Sequence, residues 1–178
     1  METRRSYTYL CLYNKTVECL IINKVYPPET DGEFFKTKLE EQAKHMEEIH
    51  ESFDQLKVMT AYMMPTELSG SDMLDKMADM IYGDSDPIEG YAKTSPMHFE
   101  TKKDIDYLYI KMPFIEKADV ELFKTHDNSI IIETSNQKRT VALPATLRGA
   151  EILGAGFSDG NLVIRFRRQS NAGKKDSI

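Results

Sequence analysis

The sequence predicts an α+β chain in two parts, a partial doubly wound α/β unit followed by an all-β antiparallel sandwich. Three observations predict it. The first half alternates helix-period and strand-period stretches in the order helix, strand, helix, strand, helix. The second half is a run of short alternating strands separated by turn residues. Between them the charge balance changes: residues 1–89 carry 9 Lys+Arg against 18 Asp+Glu, and residues 90–178 carry 14 against 11. The change falls in "YGDSDPIEGYAKTSP", which has two prolines, two glycines and no period, the composition of a linker. We therefore assign residues 1–83 to the first unit, 84–97 to the linker, 98–168 to the sandwich and 169–178 to a polar tail expected to be disordered.

Each element has its own signal. "ETRRSYTYLCLY" reads as the end of a helix. "VECLIINKV" is a continuous apolar strand, the kind covered on both faces in a parallel sheet. "EFFKTKLEEQAKHMEEIHESF" is a helix in which Phe35, Leu39, Met46, Ile49 and Phe53 form one apolar stripe, with Asp31 placed to cap it. "QLKVMTAYMM" is a second strand. "SDMLDKMADMIYG" is a third helix, with Ser71 as its expected N-cap and Gly83 just past its end. Two parallel strands cannot bury two helix faces and a third, so this unit reads as the tail of a larger doubly wound sheet, with an exposed apolar patch.

In the second part "YLYIKMP" sends Leu108, Ile110 and Met112 to one face. "DVELFK", "SIIIET", "KRTVALP" and "AEILGAGF" follow, and "SDGN" is an Asp-Gly hairpin turn leading to the alternating "LVIRFR". The expected core is Leu108, Ile110, Leu122, Ile131, Leu143, Leu162 and Ile164, and the sandwich is expected to fold alone.

Composition narrows the function classes. At 40% hydrophobic and 29% charged, the 178 residues read as soluble and globular. No apolar run approaches the roughly 18 residues of a membrane span. "METRRSYTYL" lacks the apolar core of a secretory signal. Cys11 and Cys19 fit no metal or redox spacing, so a reducing, cytoplasmic setting is expected. The net charge of −6 argues against nucleic acid as a general partner. His45 and His50 lie about 140° apart on a helix and cannot share a metal face. Met73, Met77 and Met80 have the spacing of a packed helix face, and Arg165, Arg167 and Arg168 read as a solvated strand end. Asn23 is the open case: it closes an apolar strand, as a turn residue does, or it presents an amide to a ligand beyond the strand's carboxyl end.

The order of motifs resembles the C-terminal part of the arsenite-pump and tail-anchored-protein-targeting ATPases. The matching residues are Glu2 with Arg5 on a helix, an apolar strand ending at Asn23, Gln42 on the next helix, and Glu67, Leu68 and Gly70 before the last helix. The resemblance spans roughly residues 2–83. "DYLYIKMPFIEKADVELF", "LPATL" and "AGFSDGNLVIRF" are similar to the α-crystallin (small heat-shock-like) sandwich, which some members of that ATPase family carry at their C-terminus. The resemblance implies that Asn23 contacts the adenine of a bound nucleotide, with Pro65 the candidate from the turn before the last helix.

Departures from the family set limits on that implication. The family's P-loop has the pattern G-x-x-x-x-G-K-[ST], and no such stretch occurs here. ATP or ADP is therefore expected only if a P-loop-bearing N-terminal half, or a homologous ATPase subunit, completes the site. "PPETDGEFF" lacks the Cys-x-x-Cys of zinc-binding members, so no zinc is expected. "ETSNQKRT" is too short for the long loop through which small heat-shock proteins assemble, and the tail has no Ile-x-Ile, so large cages are not expected. Three readings follow: the C-terminal portion of an ArsA-type ATPase, not catalytic alone; a chaperone-like module holding a protein client at a sandwich edge; or a noncatalytic remnant.

Overall fold

The computed structural model describes residues 2–168, so the expected tail lies outside the described residues. Contacts divide the chain into two units, one made of residues 17–93 and the other of residues 1–16 with 94–178. Composition places a boundary at 84–97, whereas the contacts place the later division after residue 93. The contacts add a division after residue 16, because the first helix is counted with the sandwich.

The smaller unit is a βαβα arrangement. β1 (Cys19–Val25) pairs in parallel with β2 (Lys57–Tyr62), and α2 (Glu33–Ser52) makes the crossover between them. α3 (Ser71–Tyr82) follows and packs on β2. The stripe read from the sequence is the packed one: Phe35, Leu39, Met46 and Ile49 are half-buried and Phe53 is buried. No residue within α2 or α3 is fully buried, and Phe34 and Leu74 are 73% and 59% exposed. The unit thus presents apolar surface that its two strands do not cover.

Two expected helix caps are corrected. Gly32 occupies the N-cap of α2 with no side-chain cap, and Asp31 instead accepts the N–H of Gly32 at 2.7 Å. Gly70 is the N-cap of α3, again without a side-chain bond, and Ser71 is its first helical residue. Both glycines have positive φ, 115° and 80°, a backbone that Asp or Ser would adopt only under strain. Gly83 closes α3 at φ 54°, as its place in the sequence predicts.

The larger unit holds an antiparallel sandwich. One sheet has the order β3-β4-β9-β8, comprising Met97–Lys102, Ile105–Lys111, Asn161–Arg167 and Glu151–Ser158. The other has the order β5-β6-β7, comprising Val120–Lys124, Ser129–Thr134 and Gln137–Ala142. Asp159 and Gly160 turn β8 into β9 with φ of 50° and 71°, the left-handed pair that a two-residue hairpin of this type needs. Ser135 and Asn136 alone join β6 to β7.

The inward residues include Leu108, Ile110, Met112, Leu162, Ile164 and Phe166, all buried. On β6 the inward pair is Ile130 and Ile132, so the expected Ile131 is corrected to the half-buried face. Three consecutive isoleucines carry no alternation, and a one-residue slip reverses the faces. β3 is a strand that the sequence reading put partly in the linker. It is a mostly exposed edge, "MHFETK", whose inward face has only Met97 and Phe99 as apolar residues.

α1 (Glu2–Leu12) is the remaining element of this unit, and it contributes to the sandwich core. Leu12 is 0% exposed and belongs to the same apolar cluster as Leu108, Ile110 and Ile164. The Thr8 hydroxyl lies between the carbonyls of Arg4 and Pro113. The Tyr13 hydroxyl donates to Gln137 Oε1 at 3.2 Å, and the Arg139 guanidinium sits over the Tyr13 ring at 4.8 Å. Burial of Cys11 pushes its thiol pKa up, so it packs as a small apolar side chain. Residues 98–168 therefore do not hold the whole core.

One inward position carries a charge. Asp106 is buried at the start of β4, and Arg168 meets it with two 2.6 Å bonds from Nε and Nη2. Thr101 adds a third bond at 2.6 Å. Forked pairing of this kind is what a buried carboxylate requires, and it fixes the end of β9 against the β3–β4 hairpin. The Arg168 bond, ahead of the Thr101 bond, holds the Asp106 carboxyl below the usual carboxylate range.

Two outcomes are expected. Leu12→Ala should destabilise the sandwich by about 2–5 kcal/mol. Denaturant unfolding followed by the exchange of the Leu108 and Ile164 amides measures this, and an unchanged midpoint would remove α1 from the core. Because the Asp106 pKa is depressed in the fold, its contribution is present above an unfolded carboxyl pKa of about 3.9 and is lost as pH falls through the lower folded value. Asp106→Asn should flatten that acid limb of the stability profile.

Candidate functional site

Nucleotides in doubly wound sheets lie beyond the carboxyl ends of the parallel strands, so the ends of β1 and β2 are the place to look. A hollow of about 510 Å³ lies there, lined by Asn23 and Lys24 from β1, Tyr62 from β2, the following Met63 and Met64, Thr66, Glu67 and Leu68, and Met77 of α3. The volume falls within the roughly 300–1,000 Å³ typical of small-molecule sites. Its wall is more apolar than polar, with Asn23, Lys24, Thr66 and Glu67 supplying polar groups.

The end of β1 is built by a bulge. Asn23 pairs with Ala61 and Val25 with Tyr62, leaving Lys24 as the extra residue. Lys24 takes φ 59°, and its N–H donates to the Asn23 side-chain oxygen at 2.8 Å. This bond orients the Asn23 amide and leaves its NH₂ group without a partner among the described residues. Met63 then returns to the strand by donating to the Val25 carbonyl at 2.7 Å.

Gln42 fixes the chain just past this end. Its Oε1 accepts the Tyr26 N–H at 2.8 Å, and its Nε2 donates to the Tyr26 carbonyl at 3.1 Å. One side-chain amide thus satisfies both backbone groups of Tyr26, as a neighbouring strand would. The Tyr26 ring meets Phe35 edge-on at 5.4 Å, giving α2 a second hold on the same residue. The sequence marks Gln42 only as a motif position, and nothing local to it reveals this pairing across 16 residues.

Of the predicted site residues, Asn23 lines the hollow. Pro65 is exposed between Met64 and Thr66, which line it. Glu67 and Leu68 from the turn before α3 also line it, and Gly70 enters that helix at φ 80°. Glu2 and Arg5 form an exposed pair at 3.6 Å on α1, in the other unit. Met77 faces the hollow, while Met80 Sδ accepts the N–H of Tyr62 at 3.2 Å. His45 sits 3.6 Å from Glu48 on the exposed side of α2. Arg168 departs from the expected solvated strand end through its bond to Asp106.

The residues present suit an adenine ring. An amide offers donor and acceptor together, the combination that reads N6 and N7 of adenine. Tyr62 and the methionines would offer such a ring flat and deformable apolar contact. Among the described residues no helix is long and apolar enough to cross a membrane.

Gln42→Leu should leave the Tyr26 N–H and carbonyl unpaired and cost about 1–3 kcal/mol. It should also broaden the amide signals of Asn23 and Lys24. Unchanged stability and spectra would mean that Gln42 does not hold the strand end.

Comparison with known proteins finds two family matches along the chain. Residues 1–83 match the family model described as anion-transporting ATPase. Residues 103–166 match the model of the HSP20-like domain found in ArsA. A putative arsenical pump-driving ATPase of Prosthecochloris vibrioformis is 32% identical over 165 residues, covering 93% of this chain and 40% of that protein. The chain thus spans well under half the length of this relative. The ATPase GET3 of Paracoccidioides brasiliensis is 29% identical over 82 residues, 45% of this chain and 24% of that protein. Among solved structures, a small heat-shock protein from Xylella fastidiosa aligns with a TM-score of 0.35 and 21% identity, over 46% of this chain and 93% of that one.

Proposed function

We propose that this chain, an ArsA-type ATPase segment in residues 1–83 joined to the HSP20-like domain found in ArsA, supplies the adenine side of a nucleotide site and is not catalytic alone. The observation that carries this reading is Asn23. It stands at the carboxyl end of a parallel strand, on the wall of the hollow, with its amide oriented by the Lys24 N–H. The base would lie against Asn23, Thr66 and Leu68, and ATP or ADP would bind with useful affinity only when a P-loop-bearing part holds the phosphates. That part is either the N-terminal half of the same ATPase or a homologous subunit.

Base contacts alone are weak. Small ligands held without their charged groups fall towards the millimolar range, about −4 kcal/mol. The phosphates, cradled by P-loop backbone N–H groups and Lys, carry most of the affinity and all of the chemistry.

A second reading concerns the sandwich. Phe99 on the edge strand β3 and Phe123 on the edge strand β5 are 39% and 45% exposed. An exposed strand edge with an aromatic beside it suits an extended, apolar client segment, which would add as a further strand. This supports a chaperone-like role alongside the nucleotide one.

The isolated chain should not hydrolyse ATP. Steady turnover by purified protein that Asn23→Ala abolishes would contradict the reading. Once the P-loop-bearing part is added, Asn23→Ala should weaken nucleotide binding by about 10- to 100-fold, the worth of a bidentate amide–base contact. Calorimetry measures this, and equal affinity for both variants would place the base elsewhere.

A further inference from the structure

The stretch between the two parts of the sequence has a linker's composition, yet its return course is held by specific bonds. Glu18 lies immediately before β1 and is exposed. Its Oε2 accepts the N–H of Tyr91 at 2.6 Å and of Ala92 at 2.7 Å. Two consecutive backbone N–H groups converge on one oxygen only where the chain curls, and Gly90 at φ 70° makes that curl. A Cβ on Gly90 would be strained at this φ and would stand 3.1 Å from the same Oε2, crowding the carboxylate. The bonds from Ala92 and Tyr91 hold the Glu18 carboxyl below the usual carboxylate range.

The neighbouring residues are ordered in the same way. Asp86 accepts the Ile88 N–H at 2.8 Å and starts a 3₁₀ turn over Pro87–Glu89. Past the crossing into the other unit, Ser95 Oγ lies 3.0 Å from Asn14 Oδ1 and 3.0 Å from the Met97 carbonyl, where β3 begins. The outgoing chain at residues 14–18 and the returning chain at 91–95 are therefore bonded to each other on each side of the crossing, each bond within its own unit.

We propose that Glu18 is a strap that fixes the returning chain at Tyr91 and Ala92 to the start of β1, making residues 90–92 an ordered part of the β1–β2 unit rather than the beginning of a free linker. β1 runs from Cys19 to Val25, and Asn23 stands five residues from Glu18 on this short strand. The strap rests on its own bonds and stands whether or not the hollow binds a nucleotide.

Amide hydrogen exchange on the full chain tests it. Tyr91 and Ala92 should exchange at least about tenfold more slowly than Lys93 and Thr94, the factor that one net hydrogen bond supplies. In Glu18→Ala all four should exchange alike, and trypsin should cut faster after Lys93, while the amides of Leu108 and Ile164 keep their protection. Gly90→Ala should reproduce the loss. Tyr91 and Ala92 amides that exchange as fast as Lys93 in the unsubstituted chain would overturn the proposal, a result that does not depend on any variant folding. So would undiminished protection in a folded Glu18→Ala.

Discussion

The pairing of β1 with β2, and the one-residue bulge that ends it, is the constraint on which the candidate site depends. In a regular strand the side chains of residues 23 and 24 would point to opposite faces. The bulge at Lys24 breaks that alternation and lets its N–H orient the Asn23 amide. Gln42 then holds Tyr26 by both backbone groups, so the chain cannot relax the bulge by sliding. The helices on either side follow from this geometry. α2 carries Gln42 to its partner, and α3 brings Met77 to the wall of the hollow and Met80 to the N–H of Tyr62.

The larger unit solves a different problem. A small sandwich has open ends, and here α1 contributes Leu12 to one apolar cluster with strands from both sheets. Asp106 and Arg168 mark where the strand alternation would otherwise bury an unpaired charge. The ATPase-like segment and the contact-defined unit therefore differ in extent. The family match runs through residue 83, whereas α1 packs with the sandwich. One helix belongs to the first by sequence and to the second by burial.

Much of this was legible because period and turn chemistry are local. The stripe Phe35, Leu39, Met46, Ile49 sits at helical spacing, and the Asp159-Gly160 turn needs only its two residues. Asn23 is legible as a strand end, and the structure sets it on the wall of the hollow there. What stayed hidden involves partners far apart in sequence or positions without alternation. Gln42 reaching Tyr26, Arg168 reaching Asp106 and Glu18 reaching Ala92 are bonds across distance that no local pattern encodes. β3 has only Met97 and Phe99 to mark its inward face, and three isoleucines in a row conceal which two point inward. The helix caps were misread because Asp and Ser are common N-caps, while the backbone here takes the positive φ that glycine prefers.

The central claim is that the end of β1 presents Asn23 to an adenine. The most direct measurement is an amide-detected titration of the ¹⁵N-labelled chain with ADP at millimolar concentration. The account predicts saturable shifts confined to Asn23, Lys24, Thr66 and Leu68, and their loss in Asn23→Ala, with the amides of Leu108, Ile132 and Ile164 unmoved. Shifts centred elsewhere, or a pattern identical in Asn23→Ala, would contradict it.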